Sequence, residues 1–396
     1  MKLPAGKWIF CSLIAVLLGA TGSGQALDPV ERGRGLPNFL HKLATEKKAR
    51  VVFLGGSITQ NDHGYTKMIS EWLEKKWPDV KFTFLNAGLS STGSVTGAFR
   101  FPDQVLAKGP VDLLIVEFAV NDDQDSMLDS KTATRGLEGI VRQFWKANPT
   151  GDILSVDFVN PPMLEKIRKG TEAVSTLAHK RVARHYHIPI VDVGRALANE
   201  IAAGRKTWDK DYGGTHPNSA GYAFATGLIT QVIEKSEAGR EIQKITMPEP
   251  LDAASYDRAR FVDPQTFNWL GGWKFEPVSK RLLPTGAIRS DYEKYKALRS
   301  DGPGDMLYHT FLGRTLGAFV LAGPDAGMFD VSIDGGKWKQ VDTWHHFSKN
   351  LNYPRSVILA DDLSPGYHQV ALRVSGKKNP ESKGHAVTVL FFEVNE

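Results

Sequence analysis

The chain has 396 residues, 41% of them hydrophobic and 23% charged, with a formal net charge of +5. That length exceeds one comfortable domain, so two cores are expected, each stabilised by ordinary burial. No basic run interleaved with aromatics is present, so nucleic acid is not an expected partner. The single cysteine, Cys11, falls in a leader segment, and the mature chain is expected to lack disulfides, a thiol nucleophile and thiolate-bound zinc.

Residues 1–26 read as a signal peptide, with Lys2 and Lys7, an apolar run from Trp8 to about Leu18, and small residues Gly24 and Ala26 at cleavage spacing. The run is shorter than the ~20 residues of a spanning helix. Export to the periplasm or the exterior is therefore expected, without stable membrane insertion after cleavage. Phe10 before Cys11 does not suit lipidation.

Residues 27–244 alternate short β-branched runs with helical patterns. "VVFLG" from Val51 predicts a strand ending in a glycine turn, and "YTKMISEWLEKKW" has apolar residues at helical spacing. Further strands are expected at "FTFLNAG", "VDLLIVEFAVND", "DILSVDFVN" and "IPIVDVG". Their nearly continuous apolar character fits parallel strands covered on both faces by helices, with ligands at the carboxyl ends. Residues 245–262 carry prolines without periodicity and read as a linker. From 263 to 396, alternating runs such as "GAFVLAG", "YHQVALRVSG" and "AVTVLFFEVNE" are separated by turns, predicting an antiparallel β-sandwich of jelly-roll type.

Four strand-end or loop positions carry chemistry. Ser57 follows Gly55-Gly56 at the end of the first buried strand; taken alone, a serine there is equally a helix cap. Gly88 ends the second strand, where its N–H can approach a ligand. Asn121, after the third strand, offers an amide donor, and His216 lies on a loop that feeds a helix. "GGSIT", "NAG", "AVND" and "THPN" occur in the order and on the elements of the four blocks of the SGNH, or GDSL-like, hydrolases, over roughly residues 48 to 236. The chain resembles that superfamily. The resemblance implies a three-layer α/β sandwich and a serine esterase working through an acyl-enzyme. Ser57 would be the nucleophile and His216 the general base. The Ser57 N–H, the Gly88 N–H and the Asn121 amide would form the oxyanion hole.

One departure bears on mechanism. The family's aspartate, three residues before the histidine, is Gly213 here. Asp211 reaching back to His216, a Ser–His dyad with the ring held by a carbonyl, or a carboxylate from elsewhere are the open alternatives; Asp209 is weaker. Asn61 and Arg100 are candidate substrate contacts. His345-His346 has no second pair of ligands at the needed spacing, so neither metal nor other cofactor is expected. Export, the absence of a lid-like apolar insertion, and a C-terminal domain resembling the accessory domains of carbohydrate esterases point to O-acetyl groups on an oligo- or polysaccharide. Trp269, Trp273, Trp338 and Trp344 either stack on sugar rings or fill the sandwich core. The alternatives are a lipid-directed esterase or thioesterase, and a glycan-binding protein with a degenerate hydrolase domain.

Overall fold

The computed structural model describes residues 28–396; the expected leader, residues 1–26, lies outside the described residues. The α/β half is built on a six-stranded sheet in the order β1-β6-β5-β4-β2-β3. Its strands are β1 (Val30–Glu31), β2 (Lys48–Gly55), β3 (Lys81–Gly88), β4 (Leu113–Glu117), β5 (Asp152–Asp157) and β6 (Ile190–Asp192). All pairings are parallel except the short edge strand β1 against β6. Alternate side chains enter opposite layers: Val51, Phe53, Leu113 and Ile115 join one core, Val52, Leu54, Leu114 and Val116 the other. The run expected as one strand through Asp122 stops at Glu117, and the chain turns helical while staying buried. Among the described residues no helix is long and apolar enough to cross a membrane.

Register sets the functional edge. Gly55 pairs with Gly88 on one side and Glu117 on the other, so three neighbouring strands end level. The segments that follow them open onto the same crevice.

The C-terminal half holds β7 (Ala259–Val262), β8 (Asn268–Leu270), β9 (Lys274–Pro277), β10 (Lys296–Ser300), β11 (Met306–Leu312) and β12 (Thr315–Ala322). These are followed by β13 (Met328–Ile333), β14 (Lys339–Asp342), β15 (Tyr353–Ala360), β16 (Tyr367–Val374) and β17 (Val387–Asn395). One antiparallel sheet runs β15-β12-β17-β10-β9, with β7 also on β17, and the other runs β14-β13-β16-β11-β8. Leu316, Val320, Phe329, Leu372 and Phe392 interdigitate between them.

The stretch read as a linker is packed. Leu251 and Asp252 donate their N–H groups to the Glu138 carboxylate, Tyr256 enters the second α/β core, and β7 already belongs to the sandwich. The two halves are also joined by Arg135, nearly buried, whose guanidinium bonds Asp252 and the sandwich residues Asp361 and Asp362 at 2.6–3.1 Å. Such a network is costly to break from one side, because it leaves buried charge uncompensated.

Beneath the crevice lies a cluster of ionisable groups. His179 Nε2 is 2.9 Å from Asp122 Oδ2, and its Nδ1 is 3.9 Å from Asp157. Burial pushes Asp157 up to about 7 and Glu117 up to about 8. Both Asp157 oxygens and one Glu117 oxygen have no partner, so little offsets the cost of burying their charged forms. Burial also lowers His179, but Asp122, Asp157 and Glu117 outweigh it and leave the ring raised.

The sign of the linkage follows. A carboxyl raised by the fold keeps its proton after the unfolded chain has released its own, so stability falls as pH rises from the usual carboxylate range towards about 8. The raised His179 acts in the same direction, its contribution being lost as pH rises through its folded value. Melting temperature is expected to drop between about pH 5 and pH 8.5, and Glu117→Gln, neutral throughout, to show a shallower decline. An unchanged slope in Glu117→Gln by calorimetry would contradict the assignment.

Candidate active site

Ser57 opens a single helical turn, Ser57–Gln60, directly after Gly55-Gly56 at the end of β2. The glycines are steric requirements. A Cβ on Gly56 would sit 1.9 Å from Asn121 Oδ1, and one on Gly55 would sit 2.6 Å from the Glu117 carbonyl. Their absence lets the asparagine lie against the backbone beside the serine.

His216 Nε2 is 2.7 Å from Ser57 Oγ. With Nε2 as acceptor, the ring proton sits on Nδ1. The histidine loop is tied down by its neighbours. Asn218 caps the following helix, Ser219–Lys235, by accepting from Gly221 N–H at 2.9 Å, while its own N–H donates to the Tyr212 carbonyl at 2.7 Å. Thr215 Oγ1 donates to Gln124 across the crevice.

Asp211 does not approach the histidine. Its carboxylate accepts from the Thr207 N–H at 2.8 Å and faces Lys206 at 3.6 Å, and the Thr207 bond holds it below the usual carboxylate range. The expectation that it orients His216 is thereby corrected. Among the described residues no carboxylate pairs with the His216 ring. Gly213, which occupies the family's aspartate position, has φ of +97°, a conformation that strains any residue with a Cβ.

Asn121 begins a π-helical turn, Asn121–Asp125, immediately beyond β4. Its Nδ2 donates to Asp125 Oδ2, and its buried Oδ1 has no partner. Asp125 faces the crevice; burial raises it, against hydrogen bonds from Asn121 and Gln124. One Nδ2 hydrogen of Asn121 remains for a ligand.

Gly88 is not on the crevice wall. Its N–H donates to Asn86 Oδ1 at 2.9 Å, and its missing Cβ makes room for the backbone of Thr59 and Gln60. Ser90 and Ser91 of that segment reach the crevice; the Ser90 N–H is taken by Gln60, whereas Ser91 has φ of +65° and an N–H with no acceptor among the described residues. Arg100 is also corrected. It is fully buried, donating to the Ala87 carbonyl and Gln104 at 2.8 Å and to the Gly55 carbonyl at 3.0 Å, so it fastens the ends of β2 and β3 and meets no substrate. Burial lowers its guanidinium to about 10. Asn61 does line the crevice, with Nδ2 on the Tyr222 hydroxyl at 3.2 Å.

The cavity encloses about 550 Å³. Ser57, Gln60, Asn61, Ser91, Asn121 and His216 line it from the α/β half, and Arg289, Phe347, Leu351 and Tyr353 from the sandwich. The tryptophans singled out in the sequence do not line it. Trp273 is buried in the sandwich, Trp269 and Trp344 pack against its core, and the exposed Trp338 carries the Arg373 guanidinium 4.7 Å above its ring.

Residues 53–224 match the model of the GDSL-like lipase/acylhydrolase family. Nearly the whole chain is similar to a crystal structure of a two-domain esterase active on acetylated mannans, with TM-score 0.73, 22% identity, and coverage of 92% of this chain and 97% of the other. A second structure of such an esterase, co-crystallised with mannopentaose, gives TM-score 0.71 and 23% identity over 92% and 96% of the two chains. No curated protein sequence matches the chain significantly.

Two substitutions test these placements. Asp211→Ala is expected to leave kcat/KM on a small acetyl ester within about twofold of wild type, as for other surface changes. Arg100→Met removes the guanidinium's hydrogen bonds to the Gly55 and Ala87 carbonyls in the interior and is expected to cost about 3 kcal/mol in urea unfolding.

Proposed function

We propose that this chain, a GDSL-like hydrolase and so a carboxylic ester hydrolase, removes O-acetyl groups from a carbohydrate by way of an acyl-enzyme formed on Ser57. The observation that carries the reading is the 2.7 Å contact between Ser57 Oγ and His216 Nε2, made at the level where β2, β3 and β4 end together. A serine hydroxyl is a weak nucleophile until a base removes its proton, and a neutral imidazole is suited to that task near neutral pH.

His216 takes the Ser57 proton as Oγ attacks the acetyl carbonyl, then passes it to the departing sugar oxygen. A water activated by the same ring releases acetate and restores the serine. Charge on the carbonyl oxygen is met by the Ser57 N–H, the free hydrogen of Asn121 Nδ2 and the unengaged N–H of Ser91. One such donor typically contributes about 3 kcal/mol, or ~10² to 10³ in rate. With no carboxylate paired to His216 among the described residues, the pair works as a dyad; the oxyanion donors supply the larger share of transition-state stabilisation.

Three features support a carbohydrate over a lipid. The crevice is open, and hydroxyls, amides and the Arg289 guanidinium stand in its lining beside Ile58, Val120 and Leu351, with Phe347 and Tyr353 as its aromatic wall. The esterases of similar two-domain architecture are active on acetylated mannans. The leader-like sequence of residues 1–26 supports a location outside the cytoplasm, where polysaccharides are met.

Acetate release from a panel of acetylated polysaccharides tests the proposal. Wild type is expected to release acetate, and Ser57→Ala to lose that activity. Asn121→Ala is expected to lower kcat by ~10² to 10³ with KM little changed. Preference for long-chain acyl esters over sugar acetates would refute the substrate assignment.

A further inference from the structure

The turn after β3 belongs to the α/β half but is held from the sandwich. Leu89 is 8% exposed and packs in a cluster otherwise made of sandwich residues, among them Leu282, Leu283, Tyr292 and Phe319. Gln60 Oε1 accepts from the Ser90 N–H at 2.8 Å, while Gln60 Nε2 donates to both oxygens of Asp291 at 3.0 Å. One residue further, Arg289 Nη2 donates to Ser91 Oγ at 3.0 Å. Among the described residues this guanidinium has no ion-pair partner, and its buried Nε is unpaired.

Ser91 is where the grip matters. Its φ of +65° is left-handed, a conformation glycine takes freely and other residues keep only when their surroundings impose it. Serine brings strain to this position, and it also brings the hydroxyl that Arg289 holds.

We propose that Arg289 is a positioning residue for the esterase centre: by holding Ser91 Oγ it keeps the turn left-handed and its N–H aimed at the oxyanion, so the sandwich completes the catalytic apparatus. The inference rests on the reading of Ser57 as nucleophile. It assigns Arg289 no contact with the reacting atoms.

Hydrolysis of 4-nitrophenyl acetate, which offers no sugar for Arg289 to grip, separates positioning from glycan binding. Arg289→Ala and Ser91→Ala are each expected to lower kcat about 10- to 100-fold with KM little changed. The double variant should be no worse than either, because both remove one contact. Arg289→Lys should restore part of the rate. Ser91→Gly should retain more activity than Ser91→Ala, and Arg289→Ala should cost little in that background, since glycine needs no restraint there.

Melting curves identify any variant that is merely unfolded; if Arg289→Ala is, the Ser91 variants test the same contact in a chain that keeps the arginine. Full kcat in Arg289→Ala with loss only on acetylated glycan would overturn the proposal in favour of direct substrate contact. Multiplicative losses in the double variant, or equal rates in Ser91→Gly and Ser91→Ala, would overturn it as well. Turnover retained by Ser57→Ala would instead remove the nucleophile assignment, and this inference with it.

Discussion

The crevice depends on three parallel strands ending at one level, and a buried guanidinium holds that level. Arg100 bonds the carbonyls of Gly55 and Ala87, the last turns of chain before the serine and before the Ser91 loop. A charge in an apolar layer is expensive unless its donors are satisfied, and both terminal nitrogens of Arg100 find acceptors here. The cost of burying Arg100 is thus offset in part by the carbonyls it bonds at the sheet edge. Geometry follows directly: Ser57 and Ser91 cannot drift apart without breaking one of these bonds.

A second constraint comes from below. Glu117, Asp122, Asp157 and His179 form a buried layer under the crevice. Asp122 joins it to the crevice wall by accepting from the Ser94 N–H at 2.7 Å, at the start of the helix that follows the Ser91 turn. The floor is therefore polar but buried. Hydrogen bonds so buried are stronger than the same bonds at the surface, so they fix their partners firmly. The helix carrying Arg100 starts from this layer and touches the sandwich in its first turn, where Thr96 meets Ser356 at 2.7 Å and Ser356 donates to the buried Glu393 at 2.5 Å.

Much of this was legible in the sequence, for identifiable reasons. Ser57 and Asn121 follow buried apolar strands, and His216 precedes a capped helix; each sits at an element boundary that pattern alone marks. Gly88 misled because a strand-end glycine suggests an open N–H, whereas here the glycine makes room for a crossing backbone and Asn86 occupies the N–H. Asp211 misled because spacing from a histidine says nothing about what its own turn needs, and its carboxylate reaches back to the Thr207 N–H. Arg100 carried a readable signal, since a cation between Phe99 and Phe101 in a helix has no obvious route to water. Arg289, Phe347 and Tyr353 carried none. They belong to loops of a domain whose pattern encodes a sandwich, and only the docking of two cores brings them to the crevice.

The Leu89 cluster has a consequence for how such a chain can change over time. Appended sugar-binding modules are commonly exchanged between enzymes as independent cassettes, joined by tethers that carry no information. Here the hydrolase lends an apolar side chain to its neighbour's core and receives in return a wall of its own cavity. A foreign cassette spliced in after the hydrolase would bring its own fold but leave Leu89 uncovered and that wall missing. Loss or exchange of either half would therefore disturb the core of one and the cavity of the other together.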